Sequence, residues 1–510
     1  MFRINKEILK SYILLIFIIG SFVQVKILWD LKDQGLPFKF LSAFVFKNGQ
    51  NVPTIELKDN FSRPYRIIVS EGYGESHWVL TEDHDEKSDY QKLWNELKLY
   101  LNDIFDIRQS IKPVTQDELY KQWDKLIQSK IIIFEYRANI KLNLLSYMIR
   151  NKNIAVDEPV GVYKIAISPW EDINEKSNTL YILDGNTKEN ARLYKFTLPI
   201  SEVNKLSKQN YDETMKRLKK LTNEGMLRSY SIFKESNPRK DSSFPIPISD
   251  DIPIVNYGDK YESFYSIHSY VPKVFEVNKG QEANEIAEFV LGSEKYSYQP
   301  SEDISGNIVF MNLNSIYKIN KKGLLEYKYT SENLETEKGS EVSAFENAIA
   351  FISKANLLQG ETEIHLSSIK YDEKDRYRFT FDYQVADIPV FVNFKLDTNE
   401  TGTADNRINN AITIEANSKR VLSCKWLLRD FSKSREPRKS YSVFFVDLWD
   451  GLAADQELFN SLKTKGVMVK DISVSYEVTS ETEDYHKIEP SWLITTEDNR
   501  YFPVRMKAKK

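Results

Sequence analysis

The sequence predicts an α+β protein in which helices pack on antiparallel sheets, preceded by a single N-terminal transmembrane helix. Three observations lead to this prediction. An uncharged apolar run lies near the start of the chain, helical and strand-like patterns follow it in blocks, and no strand–helix–strand–helix series is present. The last observation disfavours a doubly wound nucleotide-binding fold, because its parallel sheet requires such a series.

The apolar run extends from Ser11 to Val25 without a charge and continues through Lys26 to Trp29, which gives 19 residues. At about 1.5 Å per residue, this length just crosses a hydrocarbon core of about 30 Å. Lys26 is tolerable near the end of the span, because its ammonium group can reach the headgroups beside Trp29. The segment is therefore predicted to be a membrane anchor.

The charges at the two ends of the span predict its orientation. Arg3, Lys6 and Lys10 precede it against a single acid, Glu7, whereas acidic and basic residues balance after it. The positive-inside bias then places the N-terminus in the cytoplasm and the bulk of the chain outside, as in a single-pass protein of the cell membrane. A cleaved signal peptide is the alternative. The residues after Gly20 and Ser21 continue the span and present no small-x-small cleavage site, which favours a retained anchor.

Composition excludes several classes of protein. Cys424 is the only cysteine in 510 residues, so a disulfide-stapled secreted scaffold is excluded. The formal net charge is −4, with no block of basic residues, so no nucleic-acid partner is expected. At about 150 residues per domain, the exported part is expected to contain about three domains.

The predicted boundaries follow changes in composition. Residues 1–30 form the cytoplasmic tip and the anchor, and residues 31–255 form an N-terminal α+β domain that ends in a proline-rich linker. Residues 256–340 form a central α+β domain, and residues 341–510 form a C-terminal one. The linker is placed after residue 236, because its closely spaced prolines are incompatible with a helix or a central strand.

Periodic apolar residues predict the main elements within these domains. An amphipathic stripe from Tyr90 to Phe105 predicts a helix, and the run Ile131 to Phe134 predicts a buried strand. A further helix is predicted from about Asp212 to Asn223, ending at Gly225. In the second half, helices from Glu282 and from Glu341 are each followed by a run of alternating strands.

Signals for chemistry are weak throughout. His77 and His84 lie seven residues apart with Asp83 beside them, a spacing compatible with a metal site but more typical of a solvated loop. The other histidines are isolated in sequence from each other and from Cys424. Carboxylates are abundant without a recognisable catalytic pair. The sequence therefore predicts a protein that is not an enzyme and has no cofactor, no catalytic residues and no metal ligands.

The aromatic strands of the second half have two interpretations. Tyr317, Tyr327 and Tyr329 are typical of core residues whose hydroxyl groups reach the surface. The alternative is a protein-binding face, because tyrosine is enriched at interfaces.

Four segments carry a resemblance to a known family. The first two, SIHSYVP from Ser266 and GNIVFMNLNSIYKINKKGLLEY from Gly306, resemble the YycH family of Gram-positive envelope proteins. The other two, YRFTFDYQVADIPVF from Tyr377 and IEPSWLITTEDNRY from Ile488, are similar to the C-terminal module that YycH shares with its sister family YycI. These motifs are strand and turn patterns. Residues 31–255 match the family only loosely.

The resemblance implies an extracytoplasmic regulator that modulates the WalK (YycG) sensor histidine kinase of a two-component system, together with a YycI-like single-span partner. It also implies contacts through transmembrane helices, for which the candidate residues are Gly20, Ser21 and Gln24. In the C-terminal module the candidate partner-binding residues are Phe379, Phe381, Tyr383, Pro389 and Phe391. The competing hypotheses are a cell-envelope ligand-binding protein and a metal-dependent envelope hydrolase that uses His77, Asp83 and His84.

Overall fold

The computed structural model describes most of the chain after residue 53. The described residues are 54–72, 76–81, 88–106, 116–152, 160–168, 177–185, 191–199, 208–223, 266–272, 286–287, 290–304, 306–320, 322–331, 340–354, 362–372, 376–385, 388–395, 407–433, 469–480, 485–496 and 500–506. The predicted membrane span lies outside these residues. Among those that are described, no helix is long and apolar enough to cross a membrane.

The N-terminal part is built around a six-stranded antiparallel sheet with the strand order β2-β1-β3-β4-β5-β6. Its central strand, β3, continues seven residues beyond the run Ile131 to Phe134 that predicted it. The long strand pairs with β1 on one side, where Val69 faces Ile132, and with β4 on the other. The bounds are β1 Arg66–Ser70, β2 His77–Thr81, β3 Ile131–Lys141, β4 Gly161–Ile167, β5 Ser177–Asp184 and β6 Arg192–Pro199.

Helices pack against this sheet through the apolar stripes that the sequence predicts. The predicted stripe from Tyr90 to Phe105 is confirmed, because every residue that defines it is buried. The predicted helix near Asp212 is also confirmed and docks on the sheet through Tyr211, whose hydroxyl donates to the carbonyl of Ser70 at 2.5 Å. The bounds are α1 Thr54–Ser62, α2 Asp89–Asp106, α3 Gln116–Ile127, α4 Leu142–Arg150 and α5 Lys208–Asn223.

The second half of the chain forms a thirteen-stranded sheet. Its pairs are antiparallel, except that β14 and β19 run parallel, with Val390 facing Tyr476. The strand order is β22-β21-β19-β14-β13-β16-β17-β11-β10-β9-β8, with β12 on β13 and β15 on β14. The bounds are β8 Gln299–Glu302, β9 Ile308–Met311, β10 Ser315–Ile319, β11 Leu324–Tyr329, β12 Thr362–Asp372, β13 Arg376–Val385, β14 Ile388–Lys395, β15 Arg407–Ile408, β16 Ile412–Ala416, β17 Val421–Leu427, β19 Val469–Thr479, β21 Ser491–Thr496 and β22 Tyr501–Arg505.

A third, three-stranded sheet brings distant parts of the second half together. It has the order β18-β7-β20, so strand β7 pairs with two strands from the C-terminal region. Its bounds are β7 Ile267–Tyr270, β18 Asp430–Lys433 and β20 Tyr485–Ile488. Among the described residues of this half, α6 spans Glu341–Lys354 and a 3₁₀ helix spans Gly292–Ser297, directly after helical residues at 290 and 291. The α+β class, with mostly antiparallel sheets, is therefore confirmed for the described residues.

The strands on either side of residue 340 belong to one sheet, since β11 pairs directly with β17, where Leu325 faces Trp426. Helix α6 packs on that sheet, and the ring of Phe345 lies 5.5 Å from that of Phe379. Phe61 of the N-terminal helix α1 contacts the same cluster, at 6.1 Å from Phe345 and 5.2 Å from Phe381. Residues 52–510 accordingly form one compact unit. The domain boundaries that the sequence indicates stay predictions.

Candidate functional site

The residues predicted to bind a partner fall into three groups. Gly20, Ser21 and Gln24 lie outside the described residues. Phe379, Phe381 and Tyr383 alternate along one face of β13 and are fully buried, with at most 1% of each side chain exposed. The remaining two lie on β14, where Pro389 and Phe391 are partly exposed. A partner could therefore reach Pro389 and Phe391 directly, whereas it could reach the three buried rings only after the core opened.

Tyr383 occupies a structural position within that core. Its hydroxyl accepts a hydrogen bond from Trp426 Nε1 at 2.9 Å and donates to the carbonyl oxygen of Leu427 at 2.7 Å. Its ring also packs edge-on against Phe431, with 5.4 Å between the ring centroids. These contacts connect β13 to β17 and β18. Loss of the hydroxyl would therefore affect the packing of the second half.

The residues of the hydrolase hypothesis do not assemble into a site among the described residues. His77 is buried on β2 opposite Ser70, and burial lowers the pKa of its imidazole to about 4, so it is neutral at pH 7. Asp83 and His84 lie outside the described residues. Within the described ranges, no three or more histidine, cysteine or acidic side chains are close enough to hold a metal ion.

The single cysteine is equally inaccessible. Cys424 lies on β17 with 1% of its surface exposed, and burial raises the pKa of its thiol well above the usual range. A buried, protonated thiol is a poor nucleophile. Cys424 is therefore a core residue.

The tyrosines of the central segment form an aromatic cluster against helix α6. The ring centroid of Tyr317 lies 4.7 Å from that of Tyr327 and 6.2 Å from that of Phe351, and Tyr298 packs edge-on at 5.4 Å. Tyr317 is buried, and Tyr327 is partly buried against the core. The core interpretation is confirmed for these two residues. Tyr329 is also partly buried and is hydrogen-bonded to Arg420, the residue that directly precedes the neighbouring strand β17.

A group of charged side chains lies where the two large sheets meet. Here a cleft of about 200 Å³ is bordered by residues of the first sheet and by residues of β13, β14, β19, β21 and β22 of the second. The side chains that define its chemistry are Tyr65, Arg66, Arg137, Asp382, Phe391 and Tyr501. We call this feature the inter-sheet cleft.

A buried ionic network forms one wall of the inter-sheet cleft. Arg66 Nε is hydrogen-bonded to Glu135, and Arg66 Nη1 lies 2.8 Å from Asp471 Oδ1 on the other sheet. Lys164 Nζ lies 2.6 Å from the second carboxylate oxygen of Glu135. Burial by itself would raise the pKa of Glu135, but the charges of Arg66 and Lys164 outweigh it and lower the pKa to about 2. The network is charge-balanced, with two cations and two anions.

Arg137 and Asp382 face the same cleft outside that network. The Arg137 guanidinium lies 5.3 Å from the Tyr65 ring centroid, a cation–π geometry. Asp382 accepts a hydrogen bond from Asn410 Nδ2 at 3.1 Å. Its pKa is raised, because burial outweighs the opposing effects of its hydrogen bonds and of the Arg137 charge. Asp382 is thus held by neighbouring donors, and Arg137 lines the cleft beside it.

Sequence reasoning did not single out the charged residues of the cleft, although two signals were present. Glu135 and Arg137 follow the apolar run Ile131 to Phe134, and charged side chains are seldom buried unless they are paired. In β13, the polar residues Thr380, Asp382 and Gln384 alternate with large apolar ones. Each signal indicates a strand that is expected to be buried and yet carries charged or polar side chains.

Comparisons with known proteins leave the family open. No family model matches the chain, and no curated protein matches it. A solved structure of an uncharacterized protein from Eubacterium rectale is similar to part of the chain, with 13% sequence identity. That match covers 48% of this chain and 82% of the other, with a TM-score of 0.27. A TM-score of this size carries no argument about fold or function.

Proposed function

We propose that this chain is a membrane-anchored extracytoplasmic regulator that modulates a sensor histidine kinase of the WalK/YycG type by protein–protein contact. A single transmembrane helix over Ser11 to Trp29 holds the N-terminus in the cytoplasm and carries about three exported domains. A YycI-like single-span protein is the second partner. The protein acts through binding and has no enzymatic activity of its own.

The observation that carries the proposal is the clustering of the four segments that resemble the YycH family. The segment from Ser266 contains β7, which pairs with β20, the strand immediately before the segment from Ile488. The segment from Gly306 forms β9 to β11, which join through β17 and β16 to the strand β13 that starts the segment from Tyr377. Segments separated by up to about 200 residues thus form one hydrogen-bonded assembly, as expected if they define one module.

The burial of His77, the residue of the hydrolase hypothesis that the structure describes, counts against that hypothesis. His77 and Cys424 are both buried in strands and are both uncharged at pH 7 for the same reason, desolvation. Neither residue can reach a substrate without local unfolding.

A regulator of this kind acts by binding one state of the kinase more tightly than the other. Side-by-side packing of transmembrane helices can supply that difference, because small residues allow close approach. Gly20 and Ser21 form the small-residue notch in the span, and Gln24 provides an amide that can hydrogen-bond to a neighbouring helix. The exported sheets can add a second contact through the exposed part of β14.

The proposal is tested by crosslinking in intact membranes followed by purification through a C-terminal tag. We expect to recover a histidine kinase and a second single-span protein, and deletion of the gene should change the output of the kinase. Protease added to intact protoplasts should digest the tag. Recovery of neither partner, a protected tag, or an unchanged kinase output would contradict the proposal.

A matched pair of variants locates the contact. Gly20→Leu should push the partner helix away and lose about 1 kcal/mol, which corresponds to a roughly fivefold lower recovery of the partner at equal expression. Ile19→Leu changes the neighbouring position without adding bulk and serves as the control. Equal recovery with both variants would mean that the span only anchors the protein and that recognition resides in the exported domains.

A further inference from the structure

The inter-sheet cleft is lined by the polar face of an amphipathic strand. In β13, Phe379, Phe381 and Tyr383 point into the core, so Asp382 and Gln384 lie on the opposite face. Such a face of an antiparallel sheet usually meets bulk water. Here the N-terminal sheet covers it, and Gln384 is only 4% exposed. The polar groups therefore border an enclosed site, in the position between two bodies where ligand sites are commonly found.

Arg137 is the cation of the cleft that forms no ion pair with a described residue, although it lies close enough to Asp382 to interact with it electrostatically. Arg66 is committed to Glu135 and Asp471, and Lys164 to Glu135. Among the residues that the structure describes, no carboxylate lies within ion-pair distance of the Arg137 guanidinium, which is held instead against the Tyr65 ring. A guanidinium group can present two parallel N–H donors to a carboxylate or a phosphate. The cleft therefore has an anchor for one anionic group.

The rest of the lining matches a hydroxylated ligand. The rings of Phe391 and Tyr501 pack together with 5.0 Å between their centroids, and Tyr501 is 45% exposed, so part of this aromatic pair is accessible. An aromatic face packs well against the C–H groups of a sugar ring. The amide of Asn409 and the hydroxyl of Thr495 border the same space and can each donate and accept hydrogen bonds. These groups are complementary to sugar hydroxyls.

The size of the cleft limits the ligand. Its volume is about 200 Å³, below the roughly 300–1,000 Å³ that is usual for pockets that enclose drug-sized molecules. One hydroxylated ring with a single charged substituent is of a suitable size. A longer glycan would have to extend outward past Tyr501.

From this geometry we propose that the inter-sheet cleft binds an anionic sugar, with its carboxylate or phosphate on Arg137 and its ring against Tyr501 and Phe391. The proposal does not depend on the regulatory function proposed above. The ligand contacts both sheets, because Arg137 belongs to the first and Tyr501 to the second. Binding therefore stabilises the arrangement in which the two sheets are docked.

Equilibrium dialysis of the purified full-length chain in detergent micelles tests the proposal with four labelled probes. Glucuronate carries a carboxylate where glucose carries a hydroxymethyl group, so this pair tests the charge. Glucose 6-phosphate compared with inorganic phosphate tests whether the sugar contributes to binding. We expect glucuronate or glucose 6-phosphate to bind at least tenfold more tightly than glucose. Preference for glucuronate would identify a carboxylate ligand, and preference for glucose 6-phosphate a phosphorylated one. The proposal would be overturned if glucose bound as tightly as both charged sugars, or if neither charged sugar bound. It would also be overturned if phosphate alone bound as tightly as glucose 6-phosphate.

Variants of Arg137 test whether its guanidinium group binds the anionic group of the ligand. Arg137→Gln should weaken the charged sugar at least tenfold and leave glucose unchanged, whereas Arg137→Lys should keep part of the affinity because it retains the charge. Arg150→Gln is the matched control, since Arg150 pairs with the exposed Asp106 and does not line the cleft. If Arg137→Gln fails to fold, the Arg137→Lys variant and the probe selectivity of the unmodified chain still test whether the cleft binds an anionic sugar through Arg137. Unchanged affinity in both Arg137 variants would overturn the assignment.

Discussion

Arg66 and Asp471, which are 405 positions apart in the chain, form an ion pair of 2.8 Å that joins the two large sheets. The Arg66 side chain is 4% exposed and is also bonded to Glu135, which is 3% exposed. The guanidinium therefore satisfies one carboxylate on its own sheet and one on the other. Because Arg66 and Glu135 are removed from bulk water and Asp471 is only 21% exposed, the stability of this contact depends on keeping every partner in place.

Arg66→Met should lower the free energy of unfolding by about 3 to 5 kcal/mol, because it leaves Asp471 without its partner and Glu135 with Lys164 alone. Urea denaturation followed by fluorescence measures this change. Arg378→Met is the matched control, since Arg378 pairs with Glu415 at 2.6 Å while 54% of its side chain is exposed. That variant should lose at most about 1 kcal/mol. Equal losses in the two variants would show that burial of the Arg66 network contributes nothing.

The elements that could be predicted from the sequence are those determined by local periodicity. The stripe from Tyr90 to Phe105 needs only the 3.6-residue repeat, and the alternation from Tyr377 to Val385 needs only the two-residue repeat. Pairing between distant strands has no such signal. The parallel pairing of β14 with β19 and the pairing of β7 with β20 depend on which edges meet after the chain has collapsed.

The charged residues of the cleft were harder to predict for a related reason. A single sequence shows that Glu135 and Arg66 are charged, but it does not show that Lys164 and Asp471 will lie beside them. Without those partners, burying either charge would cost too much free energy, so a sequence-based prediction places such residues at the surface. The alternation in β13 predicts which residues share a face. It does not predict that the N-terminal sheet covers the polar one.

The pH dependence of stability should contain a contribution from Asp430. This carboxyl is 6% exposed, and burial raises its pKa from an ordinary value of 3.8 to about 6. The folded state therefore holds the proton more tightly than the unfolded state. The stabilising contribution of the protonated form is complete below about pH 4 and is lost as the pH rises through about 6.

Asp430→Asn removes this ionisation and should raise the free energy of unfolding at pH 7, by up to about 3 kcal/mol. It should also flatten the part of the stability profile between pH 4 and 6. Denaturation curves at half-unit pH steps measure both effects. Asp372→Asn serves as a control, because that side chain is 56% exposed. A profile for Asp430→Asn that keeps the original slope between pH 4 and 6 would contradict this assignment.

Gly323 should not tolerate alanine. It lies in the turn between β10 and β11 with φ +77°, a conformation that side chains disfavour. A Cβ atom there would approach Arg429 Nη1 and the Leu428 carbonyl oxygen, both at 2.9 Å. Gly323→Ala should therefore cost about 1 to 3 kcal/mol, measured by urea denaturation. Lys328→Ala, on the exposed side of β11, should change stability by less than about 0.5 kcal/mol. Similar midpoints for the two variants would mean that the turn relaxes without strain.

Tyr383 allows the core role and the partner-binding role of the C-terminal module to be separated. Tyr383→Phe leaves the buried Trp426 N–H and the Leu427 carbonyl without the hydroxyl that now pairs with both. The free energy of unfolding should therefore fall by about 1 to 3 kcal/mol. Tyr296→Phe is the matched control, since Tyr296 is 87% exposed and should change stability by less than about 0.5 kcal/mol.

The same variant is then compared with Phe391→Ala for recovery of crosslinked partners, at a temperature where all the chains are folded. Tyr383 is 1% exposed, whereas Phe391 reaches the surface and packs on the open ring of Tyr501. A partner that binds the C-terminal module should be lost with Phe391→Ala and retained with Tyr383→Phe. Loss of the partner in Tyr383→Phe without loss of stability would instead show that the core around β13 opens on binding, because a hydroxyl so deeply buried cannot otherwise contact another protein.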